Sequence, residues 1–419
     1  MSSRILAQDV YQNNNTWETQ LNNNDLIIGP SGAGKTRGYV IPNILQANES
    51  MIVADTKGDL KDKLSPYLRS KGYTIKDINF KDIFLSEGYN PLDFIRYNKN
   101  TGLYSEQDIL TISHALVPDI EGDKDPYWNS AARMYLTSMI AYVLEAYEPH
   151  QHTLDKVFDT FLTSTAKSFH EKMIALYNEN RKSYAFKLYL LYRNNGKAER
   201  MDASIRGVLA EKFANLFGTD LNRMYQQRNR IDFEDLGKEK KVVFLSISDI
   251  DRSMDALVNI FYAQAFQVLI SAADENSDNR LDIPVRFILD DFATNTVIKD
   301  FDNITSVIRS REIYVSIIIQ SLTQLDALYG EHKASTITNN CDNWLYLGGQ
   351  DVHTAKTFAQ KTNRSVINVL QMGLDDAYLF TRGSLAQKVQ KFELEKHQAY
   401  KISEEKRMEE NYMMDNLPF

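Results

Sequence analysis

The sequence predicts an α/β fold: a mostly parallel sheet, split in the chain by an inserted all-helical domain. Three observations carry that expectation. An apolar run of strand length leads into a glycine-rich turn and then into an amphipathic stretch, IIGPSGAGKTRGYVIPNILQ. Apolar runs of strand length alternate with helical spacing near both ends of the chain. Between them lies a block of about 120 residues with helical spacing alone, a domain by size.

The elements follow in order. Residues 1–24 are polar, with NNN at 13–15 and again at 22–24, and are expected to form a flexible or edge-strand lead-in. DLII at 25–28 reads as a buried strand. The stretch after GPSGAGKT has helical spacing at Tyr39, Ile41, Ile44 and Leu45, and Pro42 should kink it or limit its regular part. MIVA at 51–54, ending at Asp55, and YTIKDINF at 73–80 read as the next strands. Helical spacing then runs through 106–116, 129–147, 153–177, 184–192 and 203–217. Strands return at 241–247, 285–289, 313–319 and 344–347, with a helix over 255–273 between two of them. The expected organisation is one α/β domain over 25–100 and 225–393, a helical insert over 101–224, and a charged tail over 394–419.

Composition narrows the function. The chain has 419 residues, 43% hydrophobic and 25% charged, which suits a globular protein with a sizeable core. Lys and Arg total 48 against 56 for Asp and Glu, a net charge of −8. That argues against coating nucleic acid by bulk charge, though not against a local basic channel. The one cysteine, Cys341, rules out a disulfide framework and a multi-cysteine zinc site, and fits a reducing cytosol. The first residues contain no apolar run of a signal peptide, and apolar stretches such as 314–319 are too short to span a bilayer.

Gly29, Pro30, Ser31, Gly32, Ala33, Gly34, Lys35 and Thr36 fit the phosphate-loop pattern G-x-x-x-x-G-K-[ST] without a mismatch. Glycines let backbone N–H groups curl around phosphate oxygens, and the following helix points its positive end at the same place. Lys35 would reach the β and γ phosphates of ATP, and the Thr36 hydroxyl would hold Mg²⁺. VRFILDDF at 285–292 ends an apolar strand in two carboxylates. Asp290 suits the acid that holds Mg²⁺, and Asp291 the acid that orients or deprotonates the attacking water. Asp55 is second choice for the metal. Gln320, at the end of another strand, stands where a residue contacts the γ phosphate or caps the next helix.

Together these stretches resemble the coupling proteins of conjugative type IV secretion, of the TraG/TraD type. The resemblance runs through IIGPSGAGKTRGYVIPNILQ, IVADTKGDL, YNPLDFI (89–95), PYWNSAARMYL (126–136), FILDDFA (287–293), RSREIYVSIIIQSLTQL (309–325) and CDNWLYLGGQDVHTA (341–355). It implies a RecA/FtsK-like P-loop ATPase domain with an all-helical insertion, working as a ring of six subunits. It implies receipt of a relaxase with its DNA, single-stranded in the expected case, and ATP-driven delivery to a secretion channel. By position Lys35 and Thr36 match the family's Walker A residues, Asp290 and Asp291 its Walker B pair, and Gln320 its sensor glutamine. Two departures stand out. Family members usually carry transmembrane helices ahead of the ATPase domain and this sequence shows none, so it is read as a membrane-free member, a part of a longer protein, or a protein docked by a separate membrane partner, and it is expected in the cytoplasm, peripheral at the inner face of the membrane through partners. Asp291 stands where Glu is usual, one methylene shorter.

Arg309 and Arg311 precede the Gln320 strand, where one of them could offset γ-phosphate charge in a neighbouring subunit's site, or simply form a solvated charged loop with an internal contact between arginine and Glu312. Arg223, Arg228 and Arg230, the KEKK run at 238–241, and Arg193 with Lys197 lie near Tyr192 and Tyr225. They are candidates for DNA backbone and base contacts, or solvated faces. The expected activity is that of an Mg²⁺-dependent ATPase driving DNA transfer. The alternative is an ATP-binding substrate receptor or assembly switch without motor activity.

Overall fold

Val, Ile and Leu fill the strands, and in the central ones nearly every residue is buried, as in a sheet covered on both faces. The computed structural model describes residues 2–119, 126–195, 199–248, 250–292 and 297–415. They form two units: Met1–Lys81 with Asp232–Ile250 and Ala265–Phe419, and Asp82–Ile231 with Asp251–Gln264. In chain order the strands are β1 (Ser3–Ala7), β2 (Val10–Asn13), β3 (Asp25–Ile28), β4 (Ser50–Ala54), β5 (Thr74–Asn79), β6 (Tyr97–Asn98), β7 (Leu103–Tyr104), β8 (Lys241–Ser246), β9 (Val285–Leu289), β10 (Ile313–Ile319), β11 (Asn343–Tyr346), β12 (Asp376–Thr381) and β13 (Gln387–Gln390).

Nine of these build the sheet of the first unit, in the order β13-β12-β11-β3-β10-β9-β4-β8-β5. The run from β11 to β5 is parallel, and β12 and β13 are antiparallel additions at one edge. Register decides where the functional residues emerge. Ile28 pairs with Ile319, Ile317 with Leu289, and Ile288 with Val53. The residues following these strands, Gly29, Gln320, Asp290 and Asp55, therefore leave the sheet along the same carboxyl edge. In open α/β sheets that edge is the ligand crevice.

The opposite ends of the strands are fixed by a buried polar network. Asp25 opens β3 and is 1% exposed. It accepts hydrogen bonds from Arg4 Nε (2.7 Å) and Nη2 (3.1 Å), Tyr39 Oη (2.5 Å) and Asn343 Nδ2 (2.9 Å). Burial alone would raise its carboxyl; Arg4 and Arg286 outweigh it and hold the group below its ordinary value. Arg286, on β9, also donates to Glu49 and to Ser316 Oγ (3.2 Å). Arg286 Nη2 and Glu49 Oε2 remain buried without a hydrogen-bond partner, so this network is costly to assemble.

Of the two expectations for the first residues, a flexible lead-in or strand, the structure has strand. These residues form the β1–β2 hairpin, with Ile5, Leu6 and Ala7 buried. The asparagines that suggested a solvated segment serve buried donors instead. Asn14 and Asn23 accept from Arg4 Nη1 (2.7 Å each), and Asn24 accepts from the Val315 N–H (3.0 Å). The tail is a helix, Gln398–Asp415, laid on the helix Leu60–Ser70. Ser403 Oγ donates to Lys63 O (3.3 Å), and Arg69 pairs with Glu410 (2.6 Å). Pro42 opens the second half of a helix whose first turns, Thr36–Val40, are π-helical. The Ile41 N–H reaches back to Thr36 O, so the missing Pro42 donor is absorbed by a change of helix type rather than a break.

The second unit is helical apart from the short β6–β7 hairpin. Its longest helix, Tyr127–Ala146, buries Leu136, Met139, Ile140 and Val143. The unit begins earlier than the expected insert because Gln264 knits residues 82–100 into it. Tyr89 Oη donates to Gln264 Oε1 (2.8 Å), and Gln264 Nε2 donates to Pro91 O (2.7 Å). Among the described residues one helix, Asp255–Glu275, is long and apolar enough by composition to cross a membrane. Its Leu257, Phe261, Ala265 and Leu269 are fully buried in the protein, so packing accounts for its apolarity.

Removing Arg286 leaves Glu49 and Asp25 buried with too little positive charge. Arg286→Met is expected to cost about 3–5 kcal/mol in urea unfolding. A loss under about 1 kcal/mol would show that the network does not hold the sheet.

Candidate nucleotide site

The turn after β3 needs its glycines. Gly32 and Gly34 adopt φ of 78° and 90°, the left-handed region that other residues enter only with strain. Gly29 is needed for a different reason: a Cβ there would stand 3.0 Å from the Cβ atoms of both Ala33 and Leu347. The helix leaving the turn starts at Thr36, so its first N–H groups lack intrahelical partners and favour an anion.

A cavity of about 270 Å³ opens over this turn. The loop supplies Ser31, Gly32, Gly34, Lys35 and Thr36 to its lining; Asp290, Asp291 and Gln320 come from the ends of β9 and β10. The sequence-predicted residues from three chain segments thus meet at one place. Gly29, Pro30 and Ala33 shape the loop without lining the cavity. Lys35 is 7% exposed and folds back on the loop, with Nζ donating to Gly29 O (2.8 Å) and Pro30 O (3.1 Å). Asp291 Oδ1 lies 3.9 Å from the same Nζ. Asp291 has a φ of 50°, an uncommon conformation for a non-glycine residue and one that clusters at functional sites.

Thr36 Oγ1 donates to Asp290 Oδ2 at 2.8 Å. Asp290 is 6% exposed. Burial, and then the charge of Asp291, push its carboxyl up to about 6, against the pull of Thr36 and Lys35. A hydroxyl and a carboxylate side by side are hard oxygen donors, the kind Mg²⁺ takes when nucleotide phosphates and water complete its shell. The residues therefore fit the ion. Among the described residues no group of three or more His, Cys, Asp or Glu could hold a metal without such help.

Asp55, the second choice for the metal, lines the cavity, but its oxygens are engaged by backbone N–H groups. Its Oδ1 accepts from the Gly58 N–H (2.8 Å) and its Oδ2 from the Leu60 N–H (2.8 Å), so it braces the turn into the helix Leu60–Ser70. That turn brings Thr56, Lys57 and Asp59 into the cavity lining, and Arg37 joins them from the helix after the loop. Sequence reading missed these four. The available signal was a polar turn, DTKGDL, at the end of a buried parallel strand.

Arg309 and Arg311 are not brought into the cavity. They precede β10, whereas Gln320 follows it, and seven residues of strand span about 23 Å. Arg311 is held by Asp274 through two bonds (2.7 and 3.1 Å), not by Glu312. Arg309 donates to Thr16 O (3.2 Å), and among the described residues it has no carboxylate partner. The candidate DNA clusters fare worse. Tyr192 and Tyr225 are 3% and 0% exposed, too buried to stack on bases. Arg193 pairs with Asp202, Arg230 with Asp93, Lys238 with Glu234 and Lys241 with Asp235. Arg223 donates to Phe84 O (2.6 Å), and Lys197 lies outside the described residues.

Comparison with known proteins places this arrangement. The family described as type IV secretory system conjugative DNA transfer matches residues 2–412. The VirD4 protein of Rhizobium rhizogenes is 23% identical over 331 residues, 78% of this chain and 47% of that protein. The chain thus spans about half the length of the curated relatives it matches. Among solved structures, the unbound bacterial conjugative coupling protein TrwB, without its first 70 residues, aligns with a TM-score of 0.67 and 16% identity, covering 93% of this chain and 88% of that one. TrwB in complex with ADP and Mg²⁺ aligns at 0.63 and 16%, covering 88% and 85%.

The Asp290 carboxyl sets a pH dependence. A group raised in the folded state favours folding below its unfolded value, and that stability is lost as pH rises through the folded one. Without nucleotide, the chain should lose up to about 3 kcal/mol of stability from pH 4 to above pH 6 through this group. Asp290→Asn should remove that step and melt higher than the wild type at pH 8. An unchanged melting profile would contradict the burial argument.

Proposed function

The chain belongs to the type IV secretory system conjugative DNA transfer family, and on that premise we propose that it is the Mg²⁺-dependent ATPase of a conjugative coupling protein. In this reading it works as a hexameric ring that takes a relaxase with single-stranded DNA and passes it to a type IV secretion channel. It would do so from the cytoplasmic face of the membrane, through partner proteins. One observation supports the chemistry above the others: the Thr36–Asp290 contact of 2.8 Å, which joins the phosphate loop to the acidic strand end inside the cavity that Gln320 also lines.

The chain's residues divide the work. Lys35 exchanges the Gly29 and Pro30 carbonyls for the β and γ phosphates, gaining charged acceptors in place of neutral ones. Thr36 and the ionised Asp290 would hold Mg²⁺, which when bound offsets negative charge on the phosphate oxygens. Asp291, whose side chain is 30% exposed, faces the cavity and would orient the attacking water. Among the described residues the Gln320 side-chain amide has no hydrogen-bond partner and would meet the γ phosphate, while its backbone N–H donates to Gln324 Oε1 (3.1 Å). Arg309 is better suited than Arg311 to act in a neighbouring subunit's site, because Arg311 is committed to Asp274. The shorter acid at 291 favours a second reading, an ATP-binding receptor or switch without motor activity.

Turnover separates the two readings. The motor predicts ATP hydrolysis that rises with single-stranded DNA and vanishes in Lys35→Ala. Tight ATP binding with no turnover, with or without DNA, would leave the receptor. In the same assay Arg309→Ala should keep ATP binding and lose turnover by about 10³-fold. Mixing it with Lys35→Ala should restore part of the activity, since Lys35→Ala subunits still donate Arg309 to their neighbours. No recovery on mixing would place the arginine outside any shared site.

A further inference from the structure

The phosphate loop is touched from outside the cavity by a segment that the nucleotide reading does not use. Residues 391–397 join β13 to the C-terminal helix. Lys391 Nζ donates to Ala33 O at 3.0 Å, while its own N–H is anchored on Asp375 O (2.9 Å). Phe392 and Leu394 are 7% and 2% exposed. Phe392 O lies 3.5 Å from where a Cβ would stand on Gly38, in the helix that leaves the loop, and Glu395 pairs with Arg37, one residue earlier. The segment is therefore fastened at both ends and along its length.

Lys391 is expensive in this position. Burial pushes its ammonium below the ordinary lysine value, although the charges of Asp375 and Asp376 pull the other way, and among the described residues no carboxylate lies within ion-pair distance of it. A half-buried charge is rarely spent on a neutral carbonyl without a return. The return lies in the peptide plane. All described peptides are trans, so the Ala33 carbonyl and the Gly34 N–H point in opposite directions. Fixing the one aims the other. Gly34 lines the cavity and Ala33 does not. Gly34 also has left-handed φ and no side chain to restrain it, so its preceding peptide is the one most in need of an external hold.

We propose that Lys391 is a positioning residue for nucleotide binding: by holding the Ala33 carbonyl away from the cavity, it turns the Gly34 N–H toward the phosphate oxygens. This rests on the nucleotide reading of the cavity. A hydrogen bond from a charged donor fixes the peptide and polarises its N–H, which strengthens the bond that N–H gives to an anion.

The test is titration of a fluorescent ATP analogue, with Mg²⁺, into the full chain, alongside melting of the nucleotide-free protein. Lys391→Ala should weaken binding about tenfold. Lys391→Arg, which keeps a charged donor, should bind within about threefold of wild type, and both should melt with the wild type when nucleotide is absent. Wild-type affinity in Lys391→Ala would overturn the proposal. So would a loss that follows a lowered melting temperature, or one that arginine fails to rescue. If the wild-type chain binds no nucleotide, the nucleotide reading itself falls, and this proposal with it.

Discussion

Asp25 is the residue on which the site depends. It stands at the start of the strand that enters the phosphate loop, and it accepts a hydrogen bond from Tyr39 in the helix that leaves it. The two arms of the loop are thus clamped to each other across the base of the sheet. The same carboxylate takes Arg4 from the N-terminal hairpin and Asn343 from β11, while Arg286 of β9 stands 3.7 Å away. Four segments far apart in the chain are tied to one buried charge. Such a charge is tolerated only when its partners are all in place, which makes the arrangement cooperative.

What the clamp secures at one end of the strands, parallel register delivers at the other. β3, β9 and β10 begin together in the polar network and end together at the cavity. Thr36 can therefore meet Asp290 although 254 residues separate them. Crowding two acids, Asp290 and Asp291, at one buried strand end holds the Asp290 proton unusually tightly. A cation bound there would relieve that strain and so add to the driving force for binding metal and nucleotide.

Much of this was legible in the sequence because it is local. The strands 285–289 and 313–319 are apolar runs broken only by Arg286 and Ser316 and ended by polar residues, and the loop's glycines announce the backbone that only they adopt easily. The unreadable parts are those set by distant partners. Asn14, Asn23 and Asn24 look like a solvated segment until Arg4 and β10 are placed against them. Arg311 suggested a neighbour in Glu312, yet its partner is Asp274, 37 residues away. Tyr192 and Tyr225 sit among basic residues in the chain and inside the helical core in space. The edge strands β12 and β13 lack the apolar run that marks a central strand, because one of them is largely exposed.

The account's central claim is that this cavity binds ATP through the loop and Mg²⁺ through Thr36 and Asp290. Titration calorimetry with ATP, in the presence of Mg²⁺ and then of a chelator, tests it most directly. The account predicts saturable binding of one nucleotide per chain that Mg²⁺ strengthens and that Thr36→Ala uncouples from the metal. Binding indifferent to Mg²⁺, or unchanged in Thr36→Ala, would contradict it.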